Sequence, residues 1–157
     1  MLLPILMGSM INTPALLNHT FEGNIHSGKN PKDSLVDTAV MYLKAPFLAG
    51  GKTPFGIDCS GFTQMVYKIN GHLLARTAEE QSKQGEALSF IEESEPGDLA
   101  FFDDNEGIIN HVGIILQDNY IIHVNGHVRI DRIDHTGVFN SDEKLYTHQL
   151  RVIKKVI

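Results

Sequence analysis

The feature that most limits the fold of this chain is a change of hydrophobic period near Pro96. Before it, apolar residues recur at helical spacing. After it, they come in short runs broken by turn residues. Leu35, Val36, Ala39, Val40 and Leu43 form one helical stripe within residues 31–44. Asn30 is the expected N-cap, Pro31 suits the first helical position, and Asp33 sits where the helix dipole favours negative charge. Pro46 ends that helix and Gly50-Gly51 makes a turn. Phe62, Met65, Val66 and Ile69 form a second stripe, from a start at Cys59 or just after to a stop at Asn70-Gly71. Thr77-Ala78-Glu79-Glu80 has the capping-box pattern of a third, short helix, which Gly85 stops. Beyond the Pro96-Gly97-Asp98 turn, Leu99–Phe102, Val112–Leu116, Tyr120–Asn125, Val128–Ile130 and Leu150–Ile157 read as strands. Helices first and a run of antiparallel strands after is an α+β arrangement.

Composition narrows the function. The 157 residues suit one domain, and 42% apolar residues suffice for a core. The net charge of −6 argues against nucleic acid as a partner, because phosphate binding needs a basic face. No apolar run approaches the ~20 residues of a membrane span, so no membrane partner is expected. The single cysteine has no disulfide partner in the chain, so the core alone must hold the fold. Residues 1–30 read as an irregular or β segment, the remnant of an upstream domain, ahead of a main domain over 31–157. Met1–Met7 lacks a basic flank and is interrupted by Pro4, so it reads as a strand rather than a signal peptide. A cytoplasmic location is then expected, with a periplasmic or secreted one as the alternative if the N-terminus is truncated. Oligomeric state is not legible.

Cys59 lies in Gly56-Ile57-Asp58-Cys59-Ser60-Gly61, a tight turn feeding a helix. A thiol there feels the helix dipole and free backbone N–H groups, which lower its pKa and can cradle an oxyanion. A small buried hydrophobe is the plain alternative. A nucleophilic thiol needs a base, oriented in turn by a third polar group. His111 opens one strand segment and His123 lies inside the next. A two-residue Asp118-Asn119 turn would point the two rings to opposite faces. A three-residue Gln117-Asp118-Asn119 loop sets Gly113 opposite His123 and brings both rings to one face, and Asn119 tolerates the left-handed conformation such a loop needs. The three-residue form is expected. A zinc site from Cys59, His111, His123 and His127 matches no compact zinc spacing, so neither metal nor cofactor is expected. His148 is assigned no role.

These blocks resemble the NlpC-type cysteine peptidases: Asp58-Cys59-Ser60-Gly61-Phe62, then Pro96–Phe102, then His111-Val112-Gly113-Ile114-Ile115, then Ile122-His123. The resemblance implies a papain-like α+β fold with N-terminal helices packed on an antiparallel sheet and residues 31–157 as the catalytic domain. It also implies a Cys59–His111–His123 triad. Gly51–Cys59, Val128–Asp131 and Tyr146–Arg151 resemble the dipeptidyl-peptidase VI subgroup, which cuts γ-D-glutamyl–diamino acid bonds in cell-wall peptides. In that subgroup the aspartate before the cysteine holds the free amino terminus of L-Ala. That role carries onto Asp58, with Ser60 beside it.

Three positions depart from the family pattern. Phe47-Leu48-Ala49-Gly50-Gly51 stands where the family has Tyr-x-Trp-Gly-Gly, and Leu74-Ala75-Arg76 stands where it has Leu-Pro-Arg. Phe47 lacks the hydroxyl near the reacting carbonyl and Ala49 lacks an aromatic wall. With Arg76 these are the implied substrate contacts. Losing one polar contact of that kind costs on the order of 10²-fold in rate. The alternative is therefore a degenerate domain that binds cell-wall peptides and cuts them weakly.

Overall fold

The computed structural model describes residues 4–11 and 20–157. Helix α1 spans Asp33–Val40 and α2 spans Cys59–Ile69. Between them lies a two-strand ribbon of β1 (Lys52–Thr53) and β2 (Gly56–Ile57). Helix α3 (Ala78–Gln81) carries the expected box: Thr77 Oγ1 accepts from the Glu80 N–H while the Glu80 carboxylate accepts from the Thr77 N–H. Helix α1 is shorter than its stripe. It starts after Lys32, because the Asn30 side chain donates to Asn70 rather than capping, and it ends before a turn closed by Lys44 at φ 71°. Leu35 and Ala39 are buried, whereas Val40 and Leu43 face outward and Tyr42 fills the core instead.

The remaining strands are β3 (Glu86–Leu88), β4 (Leu99–Asp103), β5 (Ile109–Ile115), β6 (Tyr120–Asn125), β7 (His127–Ile133), β8 (Gly137–Asn140) and β9 (Leu145–Lys155). All pair antiparallel, in the order β3-β9-β4-β5-β6-β7-β8. The long β9 also pairs with β8, so β4 through β9 close into a ring. Gln149 makes the junction, pairing with Asp103 on one side and Gly137 on the other. Strands β3 and β8 and the early start of β9 were not legible. Each is short or polar, and pairing with a distant neighbour is what holds it.

Closing the sheet gives it two buried faces. Leu99, Phe101, Val112, Ile114 and Ile122 join the core beneath α1 and α2, with Phe62, Met65, Val66 and Tyr67. Ala100, Phe102, Ile115, Ile121, Ile133, Val138 and Ile153 fill the inside of the ring. This explains why Leu99-Ala100-Phe101-Phe102 is apolar without alternation: successive side chains enter different cores. Residues 4–11 and 20–30 carry turns and bends but no strand, and Lys68 Nζ ties the first of these segments to α2 by donating to the Gly8 carbonyl. The strand expected over 1–7 is absent from 4–7, and residues 1–3 lie outside the described residues.

Candidate active site

Helix α2 starts at the lone cysteine, and Asp58 is the reason. Its backbone is extended (φ −95°, ψ 171°), and its Oδ1 accepts from the Gly61 N–H at 2.6 Å, an N-cap bond. Gly61 lets the turn close. A Cβ there would sit 2.5 Å from the Gly51 carbonyl oxygen and 2.7 Å from Asp58 Oδ1. Cys59 is half-buried, with Sγ 3.9 Å from the Asn110 carbonyl, next in sequence to His111. Burial pushes the thiol above its ordinary value. The backbone amides of Val112, Ser60 and Cys59 at the sulfur pull it down by less, and Asp58 adds to the rise. The expected lowering by the helix start is therefore overturned by desolvation, and the resting side chain is a neutral thiol.

The histidines follow from register. Gly113 pairs with His123, Ile114 with Ile122 and Ile115 with Ile121, so the β5–β6 loop is the three-residue Gln117-Asp118-Asn119. Asp118 and Asn119 both take left-handed conformations, at φ 57° and 59°. Phe102 pairs with His111, which places both imidazoles on the inner face of the ring. A Cβ at position 113 would lie 2.8 Å from His123 Cβ, so only glycine leaves room opposite that ring. His111 Nε2 lies 2.8 Å from His123 Nδ1, and His123 Nε2 lies 2.9 Å from Asp131 Oδ2. Asp131, on β7, is held in turn by Arg129: Nη2 donates to Oδ1 at 2.8 Å and Nε sits 2.7 Å from Oδ2.

His148, which has no role on sequence grounds, belongs to this cluster. Its ring stacks on His111 with centroids 4.0 Å apart. The pairing of β9 with β8 and β4 brings it there, and the one sequence signal was its place in the Tyr146–Arg151 block, which carries no role for the ring by itself. Burial first, then His148 and His123, hold the His111 imidazole well below its usual value, so it rests neutral. For Asp131, burial alone would raise the carboxyl. His123 and Arg129 outweigh it and keep the group ionised.

The ring nitrogens of His111, His123 and His148 lie within 4.8 Å of one another, the one group of metal-ligand spacing among the described residues. It is not the Cys59–His111–His123–His127 set considered from sequence. The 2.8 Å His111–His123 contact is also shorter than the ~3.3 Å that two nitrogens adopt around a tetrahedral zinc. The stacked rings of His111 and His148, 25° apart, aim their lone pairs along nearly parallel planes. This geometry fits a proton-sharing chain better than a metal centre.

The implied substrate residues lie on both sides of the α2 start. Asp58 is paired with Arg76, Nη1 to Oδ1 at 3.0 Å and Nη2 to Oδ2 at 2.7 Å, and Oδ2 also accepts from the Gly50 N–H. Burial would raise the Asp58 carboxyl, but Arg76 and the two amides hold it below its ordinary value. Ser60 Oγ accepts from Arg76 at 3.0 Å, so Asp58, Ser60 and Arg76 form one polar unit. Phe47 and Ala49 are exposed on the preceding loop, where Phe47 bridges to Ile57. A groove of about 940 Å³ opens at the end of the ring, lined by His111, His148, Asp103, Asp104, Tyr146 and neighbouring residues. No described helix is long and apolar enough to cross a membrane.

Residues 44–147 match the NlpC/P60 family. The chain is 34% identical over 97 residues to a Bacillus subtilis protein named gamma-D-glutamyl-L-lysine dipeptidyl-peptidase, covering 60% of this chain and 32% of that one. It is 33% identical over 112 residues to dipeptidyl-peptidase 6 of Lysinibacillus sphaericus, covering 70% of this chain and 36% of that one. The crystal structure of an NlpC/P60 family protein from Bacillus cereus superposes with a TM-score of 0.70 at 29% identity, over 82% of this chain and 41% of that one. The chain thus spans about a third of the length of the curated relatives it matches.

Proposed function

The chain belongs to the NlpC/P60 family, and from that premise we propose that it is a cysteine peptidase cutting the γ-D-glutamyl–diamino acid bond of cell-wall peptides with a free N-terminal L-Ala. The observation that carries this reading is the His111–His123 hydrogen bond on the strand beside the Cys59 helix start. Cys59 Sγ attacks the γ-carbonyl carbon as His111 takes the thiol proton. Because both groups rest neutral, the proton moves during attack rather than before it. The amides at the start of α2 receive the developing oxyanion. His111 then protonates the departing amine, and water, deprotonated by the same ring, hydrolyses the thioester. His123 holds the His111 ring in place.

Asp58 and Ser60 bind the L-Ala ammonium, sharing the Asp58 carboxylate with Arg76, and Phe47 and Ala49 border the substrate. The relatives named as dipeptidyl-peptidases support the substrate class and do not favour the binding-only alternative. The test is hydrolysis of L-Ala-γ-D-Glu-L-Lys and its diaminopimelate counterpart by wild type and Cys59→Ala. Turnover by wild type alone is expected. Equal turnover by the two proteins rules out Cys59 as nucleophile.

A further inference from the structure

The proton bookkeeping of the histidine chain starts at a residue outside the proposed triad. Asp131 is ionised, so it can only accept, and the hydrogen on His123 Nε2 must point at it. A neutral His123 protonated at Nε2 has a bare Nδ1. The 2.8 Å contact to His111 Nε2 must then carry the His111 proton, which leaves His111 Nδ1 bare as its one lone pair. With the opposite chain direction, His111 would carry its proton on Nδ1 and could not accept one from a thiol.

We propose that Asp131, clamped by Arg129, is a positioning residue that sets the direction of the His123–His111 hydrogen-bond chain and so makes His111 a base. Three observations support it besides the distances. Asp131 is 4% exposed and His123 is fully buried, so water offers neither an alternative partner. Asp131 pairs with Ile121 and Arg129 pairs with His123 across β6–β7, so the register holds the carboxylate and its clamp beside the imidazole. Arg129 also donates to Asn140 Oδ1 and Asp142 Oδ2, which anchors the clamp to β8 and the residues after it. The arrangement extends the logic of a carboxylate orienting a catalytic imidazole by one more ring.

The inference rests on the catalytic reading of His111, and the experiment separates the two. In Asp131→Asn, the ionised acceptor that faces both His123 Nε2 and Arg129 is lost, and because Arg129 contacts both carboxylate positions the amide no longer fixes the chain direction. Long-range ¹⁵N NMR of the imidazoles reads this directly. Wild type is expected to show Nε2–H on both His111 and His123, and Asp131→Asn to show Nδ1–H populated on both beside it. In hydrolysis of L-Ala-γ-D-Glu-L-Lys, kcat should fall by about 10²- to 10⁴-fold with KM within threefold; the upper end is the loss from the same change in a Ser-His-Asp triad. A kcat loss below tenfold, or a large loss with unchanged tautomers, overturns the proposal. So does any other tautomer in wild type, a reading that needs no variant to fold. A wild type that shows the expected tautomers but no turnover fails the peptidase reading and leaves the chain direction standing.

Discussion

The His148 ring lies over the His111 ring, centroids 4.0 Å apart and planes 25° from parallel, while His123 meets both edge-on. His111 is thus fixed in two directions: its stack prevents tilting and its bond to His123 prevents rotation. If the stack positions the base, shape matters more than the nitrogen. His148→Phe should keep kcat within about threefold, and His148→Ala should lower it about tenfold by freeing the ring, since small misplacement of a reacting group costs up to about 10²-fold. Steady-state kinetics on the L-Ala-γ-D-Glu-L-Lys peptide checks this. Equal rates for the two variants would remove the stack from the account.

The same cluster sets the acid stability of the fold. Burial first, and His123 next, bring His148 down to about 4, and His111 is also held well below its usual value. Between pH 6.5 and 4 the unfolded chain binds protons that these folded rings refuse. Stability therefore falls as pH drops through that window, and His148 contributes no further change below about 4. Asp58 and Asp131 are shifted below their ordinary value, so their contribution is lost only at lower pH. Melting temperature should decline from pH 6.5 to 4, and His148→Phe should flatten the decline. A parallel decline in the variant counts against His148.

Gly113 is a packing requirement of the histidine cluster. An added Cβ meets His123 Cβ at 2.8 Å and Ile121 Cδ1 at 2.7 Å. Overpacking of that kind costs about 1–3 kcal/mol. Gly113→Ala should unfold at lower denaturant by that amount. It should also lose activity out of proportion to the folded fraction, because the displaced group holds His111. Full activity in the folded fraction would show that His123 tolerates the shift.

Asp58 caps α2 in the structure and binds the L-Ala ammonium in the proposed function, and one substitution separates the two. Asn caps helices about as well as Asp, so Asp58→Asn keeps the start of α2 while removing the charge. KM for L-Ala-γ-D-Glu-L-Lys should rise about tenfold or more. With the N-acetylated peptide, wild type and variant should bind equally weakly. An equal KM rise on both peptides would make Asp58 a partner of Arg76 alone.

The sequence alone determined the three helices and the central strands β4 to β7 in their order, the start of α2 at or just after Cys59, the Thr77 cap and the β5–β6 loop. Each depends on residues close together in the chain, where capping, spacing and turn preference act directly. It also pointed to Cys59, His111 and His123, and the loop length already implied that the two imidazoles share a face. Tertiary structure decided the rest. The burial that raises the thiol exists only once α2 lies on the sheet. Asp131, Arg129 and His148 join the cluster through pairings of β7, β8 and β9, and the ring that gathers them closes through Gln149, 46 residues from one of its partners, Asp103. Strand pairing at that range is set by which faces must be buried together. A local hydrophobic pattern does not carry that information.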